Sequence, residues 1–212
     1  MRGSETLLVS IIIEDAARGF YPGHESSVMD KTIIARWRDW PGNSIEHLVL
    51  NETGDGINAD SVIISKDDGN PYAARYQIIC DNEWRVRSVG VELLGEDRNI
   101  RLTGDGSGGW SGQSGDLTQL RGAIDVDITA TPFTNTLPIR RLGLGKEQSA
   151  EILTVYIHLP ELRITTDPQR YTCLEPGGLY RFESLDGDFV RDIEVDADGL
   201  VTDYPGLFRR II

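Results

Sequence analysis

Side chains of one charge recur two residues apart at three places in this chain. Arg36 and Arg38 flank Trp37, Arg85 and Arg87 flank Val86, and Asp125 and Asp127 flank Val126. Residues i and i+2 of an extended strand share a face, so each pair projects as a unit. An arginine fork matches phosphate, carboxylate or paired hydroxyls. Gathered on one face of a rolled sheet, the three strips would form a charged, hydrogen-bonding wall for a polar head group. Arg75, Trp84, Asn135, Arg140 and Arg141 complete this candidate ligand-binding set, with Arg140 or Arg141 at its rim. The competing reading is solvent-facing cross-strand ion pairs, worth a few tenths of a kcal/mol each.

Catalytic constellations are poor by comparison. His24, His47 and His158 are scattered and lack metal-ligand spacing. Neither Ser111 nor Ser114 sits in a nucleophile elbow. Gly104 to Gly109 satisfies G-x-G-x-x-G, but no helix follows, so it reads as a hairpin loop. Asp196-Ala197-Asp198-Gly199 begins like a calcium loop and lacks the later ligands. Asp125 with Asp127, or Asp81 with Glu83, could act as an acid/base pair on a glycoside, since strand neighbours lie ~6–7 Å apart. No catalytic residue, metal or cofactor is assigned. Trp37, Trp40, Trp84, Trp110, Tyr76, Tyr156, Tyr171 and Tyr180 read as sheet core, with a stacking floor for a sugar as the alternative.

The elements that must position these residues centre on Gly122 to Gly145. Ile124, Val126 and Ile128 alternate with Asp125, Asp127 and Thr129, which predicts a strand with one apolar and one polar face. Pro132 ends it, and Thr134, Asn135 and Thr136 are suited to cap a short helix over Leu137–Leu142. Pro138 fits its first turn, Arg140 and Arg141 its carboxyl end, and Gly143 the residue just past it.

Elsewhere the pattern is strand after strand. Predicted strands cover Thr32–Trp40, Ile45–Leu50, Ser61–Ser65, Tyr72–Asp81, Trp84–Leu94 and Asn99–Thr103. A Gly/Ser loop around Trp110 spans Gly104 to Gly115. Beyond the centre come Ile152–Leu159, Leu162–Thr165, Arg170–Leu174, Leu179–Ser184, Phe189–Val195 and Leu200–Tyr204, with an Asp198-Gly199 turn. This predicts an all-β, mainly antiparallel barrel, roll or sandwich. Tyr76, Ile78, Trp84, Val89 and Val91 resemble Tyr180, Phe182, Phe189, Ile193 and Val195 in order, a loose internal duplication.

Composition narrows the partners. The net charge of −13 over 212 residues argues against nucleic acid or an anionic membrane surface. No apolar run reaches the ~20 residues of a transmembrane helix, and Leu7–Ile13 is followed by Glu14 and Asp15 rather than a cleavage site. A cytoplasmic location is expected. Cys80 and Cys173 then read as reduced. Residues 1–31 read as an N-terminal extension, either added at the domain edge or preceding a natural start at Met29. Residues 32–212 read as one domain.

The runs CDNEWRVR (80–87), DVDITATPFTNTLPIRRL (125–142) and VDADGLVTDYPGLFRR (195–210) closely resemble the bacterial family called putative glycolipid-binding proteins. The resemblance covers roughly Thr32 to Arg210. It implies a β-roll, one antiparallel sheet spiralled as a half-barrel around a single short helix, and a homodimer. That fold is similar to the carriers that shuttle lipoproteins across the periplasm. It further implies non-catalytic binding of a glycolipid or other amphipathic molecule, with acyl chains in the roll interior and the head group at the Arg/Asp strips. Two alternatives stay open: an enzyme acting on a sugar or lipid head group through Asp125 or Asp127, and a structural or metabolic dimer with no small ligand.

Overall fold

The computed structural model describes residues 30–212. A first meander runs through β1 (Lys31–Asp39), β2 (Ile45–Thr53), β3 (Gly56–Asp67), β4 (Asn70–Cys80), β5 (Val86–Leu93), β6 (Asn99–Gly104), β7 (Trp110–Gly112) and β8 (Gly115–Asp116). Next come β9 (Asp125–Ile128) and the helix α1 (Thr136–Leu142). A second meander follows: β10 (Ser149–His158), β11 (Arg163–Glu175), β12 (Leu179–Ser184), β13 (Val190–Val195), β14 (Val201–Tyr204) and β15 (Phe208–Arg210). Among the described residues all fifteen strands join one open sheet, with β8 at one end and β9 at the other. The two meanders meet where β1 pairs with β15, Trp37 opposite Arg210. Among the described residues only β9 pairs in parallel, with β10. The expected mainly antiparallel roll around one short helix is therefore the observed fold.

The ends of the sheet are consecutive in sequence, so residues 117–124 carry the chain from one to the other. That link is tied down by Gly122 N–H donating to the Gly108 carbonyl (2.8 Å) and by the Trp110 indole donating to that of Ala123 (2.7 Å). A side chain at Gly108 would meet the Gly122 backbone at 2.8 Å, closer than packing allows. The Gly/Ser stretch thus folds into β7 and β8 rather than remaining all loop. Its G-x-G-x-x-G portion is the β6–β7 loop, closed by Asp105 accepting from the Ser107 and Gly109 amides (2.6 and 2.9 Å).

The strands expected at 162–165 and 170–174 are a single strand, β11, with Pro168 inside it. The Pro168 carbonyl accepts from Leu185 N–H (2.9 Å), so its nitrogen also faces the β12 side, where β12 is ending. The ladder to β10 loses no donor, which is why the proline is tolerated.

Inward residues of the meanders fill the roll in two packed clusters. Helix α1 stands between them: Leu137 packs in the first and Ile139 in the second. Gly143 ends the helix in the left-handed region (φ 55°), its N–H reaching the Ile139 carbonyl at 3.4 Å. Thr136 anchors the other end by donating to the Gly199 carbonyl (2.9 Å) in the Asp198-Gly199 turn. The duplicated pattern falls on two hairpins: Tyr76, Ile78, Val89 and Val91 in β4–β5, and Tyr180, Phe182, Ile193 and Val195 in β12–β13, are all buried. Cys80 and Cys173 are free and buried. No helix among the described residues is long and apolar enough to cross a membrane. The expectation for residues 1–31 lies outside the described residues except at Asp30 and Lys31, and Lys31 opens β1.

A carboxylate-lined cavity beside the central helix

The aspartates of β9 face the helix side, while Val126 and Ile128 enter the larger apolar cluster. Helix α1 folds back over Asp125, which is buried, while Asp127 is half-buried. Asp125 has no exposed surface and is gripped by Arg141, Nε to Oδ1 at 2.9 Å and Nη2 to Oδ2 at 2.5 Å. Burial raises the Asp125 carboxyl above the usual range, and the Arg141 pair offsets this only in part. Arg140, one position earlier, lies over the Trp84 ring at 4.6 Å. It donates to the Asp198 carbonyl (2.9 Å) and reaches Glu52 at 3.3 Å.

Asp127, two residues along β9, borders a cavity of about 440 Å³. Its Oδ1 accepts from Thr134 Oγ1 (2.9 Å) and its Oδ2 from Gln169 Nε2 (2.8 Å). The same Gln169 nitrogen donates to Asp167 Oδ2 at 2.8 Å, so one neutral amide holds both carboxylates. Burial raises the carboxyls of Asp127 and Asp167, and each also feels a neighbouring acid: Asp167 beside Asp127, Asp186 beside Asp167. The same lining includes Phe182, Phe189, Tyr204, Leu207 and Phe208, and Tyr156 pairs across the strands with Asp127. Phe189 meets Phe182 and Tyr204 at ring separations of 5.9 and 6.4 Å, in edge and tilted arrangements that aromatic pairs favour. Among the described residues no three His, Cys, Asp or Glu side chains converge to hold a metal ion.

Asn135 closes the helix end of the cavity. It makes no side-chain cap to α1. Its oxygen accepts from the Tyr171 hydroxyl (2.9 Å) and its amide donates to the Pro132 carbonyl (3.1 Å). The capping role expected of it is therefore replaced by a tie between the turn and β11. Asn135→Ala is expected to lower stability by about 1–2 kcal/mol, because it strands the buried Tyr171 hydroxyl. Urea unfolding checks this, and an unchanged midpoint would count against the tie.

The arginine strips do not share this site. Ala35 and Trp37 point inward, so Arg36 and Arg38 point outward; Trp84 and Val86 do the same to Arg85 and Arg87, and Tyr76 to Arg75. Arg36 bonds to His47 (3.0 Å) and Arg75 pairs with Asp60 (2.5 Å). Arg85 pairs with Glu83, and Arg87 lies 4.0 Å from Asp81 while donating to the Asp105 carbonyl. Of these, Arg75 with Asp60 is a cross-strand surface ion pair of the kind in the competing reading. Of the outward arginines, Arg75 borders a separate hollow of about 200 Å³ on the outer face.

Comparison with known proteins decides the affiliation. A sequence model of the family described as "Putative glycolipid-binding" matches residues 34–210. The chain belongs to that family. This family member also matches a crystal structure of a DUF1089 family protein from Pseudomonas aeruginosa, with a TM-score of 0.73 and 40% identity. The match covers 82% of this chain and 95% of that one. Among curated proteins, none matches.

From the expected set, the fold of this glycolipid-binding family member thus brings together Asp125 with Arg141 and Trp84 with Arg140, and places Asp127 and Asn135 on one cavity. The sequence reading passed over Asp167, Gln169, Phe182, Phe189 and Tyr204. Asp167 and Gln169 carried a signal: they alternate in phase with Tyr171 and Cys173, so they are polar residues on the inward face of a strand.

Proposed function

We propose that this protein binds an amphipathic ligand such as a glycolipid, without catalysis, in the cavity between β9, the turn before α1, and the second meander. The supporting observation is the mixed lining of the cavity: carboxylates, Thr129, Thr131 and Asn135 together with aromatic rings and Leu207. Its volume of about 440 Å³ falls within the ~300–1,000 Å³ of small-molecule sites. The head group lies against Asp127 and Asp167, and the chain leaves past Phe189 and Leu207. The acyl chain is not placed in the roll centre, because the buried side chains of Trp37, Tyr76, Phe133 and Leu137 occupy it. Asp125 has both oxygens held by Arg141, so it is assigned to stability rather than to the ligand.

Native mass spectrometry of the chain purified from its own host tests ligand and assembly together. The expected result is a lipid-sized adduct, lost in a Leu207→Asp variant, on the dimer that the family resemblance implies. A bare 23.5 kDa monomer in gentle conditions would count against both.

A further inference from the structure

The lining of the cavity carries an excess of negative charge. Asp127, Asp167 and Asp186 border it, and no lysine or arginine does. The nearby basic groups stand outside the lining and act on it from there, Arg191 on Tyr204 and His158 on Asp167. Arg191 lies over Phe189 at 4.6 Å but donates to the carbonyls of Val190 and Pro205, and Arg163 bonds to His158. Gln169 supplies one neutral N–H₂ group to two carboxylates. Crowded, partly desolvated carboxylates are costly unless a positive group meets them. A metal ion is not favoured, because no metal-binding geometry exists among the described residues. The remaining wall suits an organic cation: the faces of Tyr156, Phe182 and Tyr204 carry the negative quadrupole that attracts ammonium groups.

We infer that the cavity selects a head group bearing an amine, such as an amino sugar, over a neutral or anionic one. Three geometric facts carry this: the Gln169-bridged carboxylates, the absence of a basic side chain from the wall, and the aromatic rings in the same lining. The inference rests on the binding reading above and sharpens it. The ammonium would sit between Asp127 and Asp167, where it donates to both.

Calorimetric titration of the full chain at neutral pH and low salt separates the outcomes. The probes are octyl β-glucoside, its 2-amino-2-deoxy counterpart, octyl phosphate, and glucosamine without a chain. Charge-assisted hydrogen bonds make the amino glucoside bind about tenfold or more tightly than the glucoside, with octyl phosphate weakest. Asp167→Asn should erase that preference, the affinities for the amino and neutral glucosides converging. Asp167 is half-buried and on the cavity rim, so circular dichroism should show a folded variant. Equal affinity for the amine and neutral probes, or tightest binding of the phosphate, overturns the amine inference and leaves the cavity reading standing. Binding of glucosamine as tight as that of its octyl form supports the amine but overturns the amphiphile. No binding of any probe removes both.

Discussion

Replacing Arg141 by alanine is expected to destabilise the fold by about 3–5 kcal/mol, the range for breaking a buried ion pair from one side. Asp125 has no exposed surface and both of its oxygens are bonded to the Arg141 guanidinium. Without that partner the carboxylate must stay charged in an apolar setting or take up a proton. Alanine is the better helix former, so the loss does not come from α1 itself. Chemical denaturation of Arg141→Ala measures the effect. The Asp125→Asn/Arg141→Ala double variant should recover a large part of it, because a neutral amide is cheaper to bury. A loss below about 1 kcal/mol in the single variant would show that water reaches Asp125.

The second large effect is a dependence on pH centred on Glu46. This carboxylate points into the roll on β2, in phase with Leu48 and Leu50. Its Oε1 accepts from the Tyr76 hydroxyl (2.6 Å) and Ser61 Oγ (2.8 Å), and its Oε2 has no partner. Burial raises its pKa from 4.5 to about 7, against the opposing pull of the Tyr76, Thr131 and Ser61 hydroxyls. The folded state therefore holds this proton more tightly than the unfolded chain. Its stabilising contribution is fully present below about pH 4.5, declines as pH rises, and is gone above about pH 7. The size is about 3 kcal/mol. Glu46→Gln has no such slope, so from pH 4.5 to 8 the variant should gain about 3 kcal/mol relative to the natural protein. Denaturation midpoints of both proteins across that interval decide it, and parallel curves would refute a buried, titrating Glu46. The comparison between variants matters, because burial also raises Asp125, Asp127 and Asp167.

Short-range order was legible across most of residues 30–212. Alternation predicted the strands other than β7, β8 and β15, with β11 read as two, and Pro138, Arg140, Arg141 and Gly143 marked α1, because these signals act within one turn or one pleat. The pairing of Arg36 with Arg38, and of Arg85 with Arg87, on shared faces was also local. Which face was wet could have been read from Trp37, Trp84 and Val86, whose burial forces the neighbouring arginines outward. Glu46 and Gln169 carried a similar sign, as polar residues in phase with buried ones.

The site itself depends on distance along the chain. Gln169 meets Asp127 from 42 residues away, Tyr171 meets Asn135 from 36, and Arg141 meets Asp125 from 16. Residue types and spacing determined the sheet, the helix and the two aspartates that share a face. The curvature of the sheet decided the rest, because it placed α1 over Asp125, left Asp127 open to a cavity, and brought the aromatic rings of β12, β14 and β15 to that cavity. Curvature is a property of fifteen strands taken together, and no window of sequence contains it.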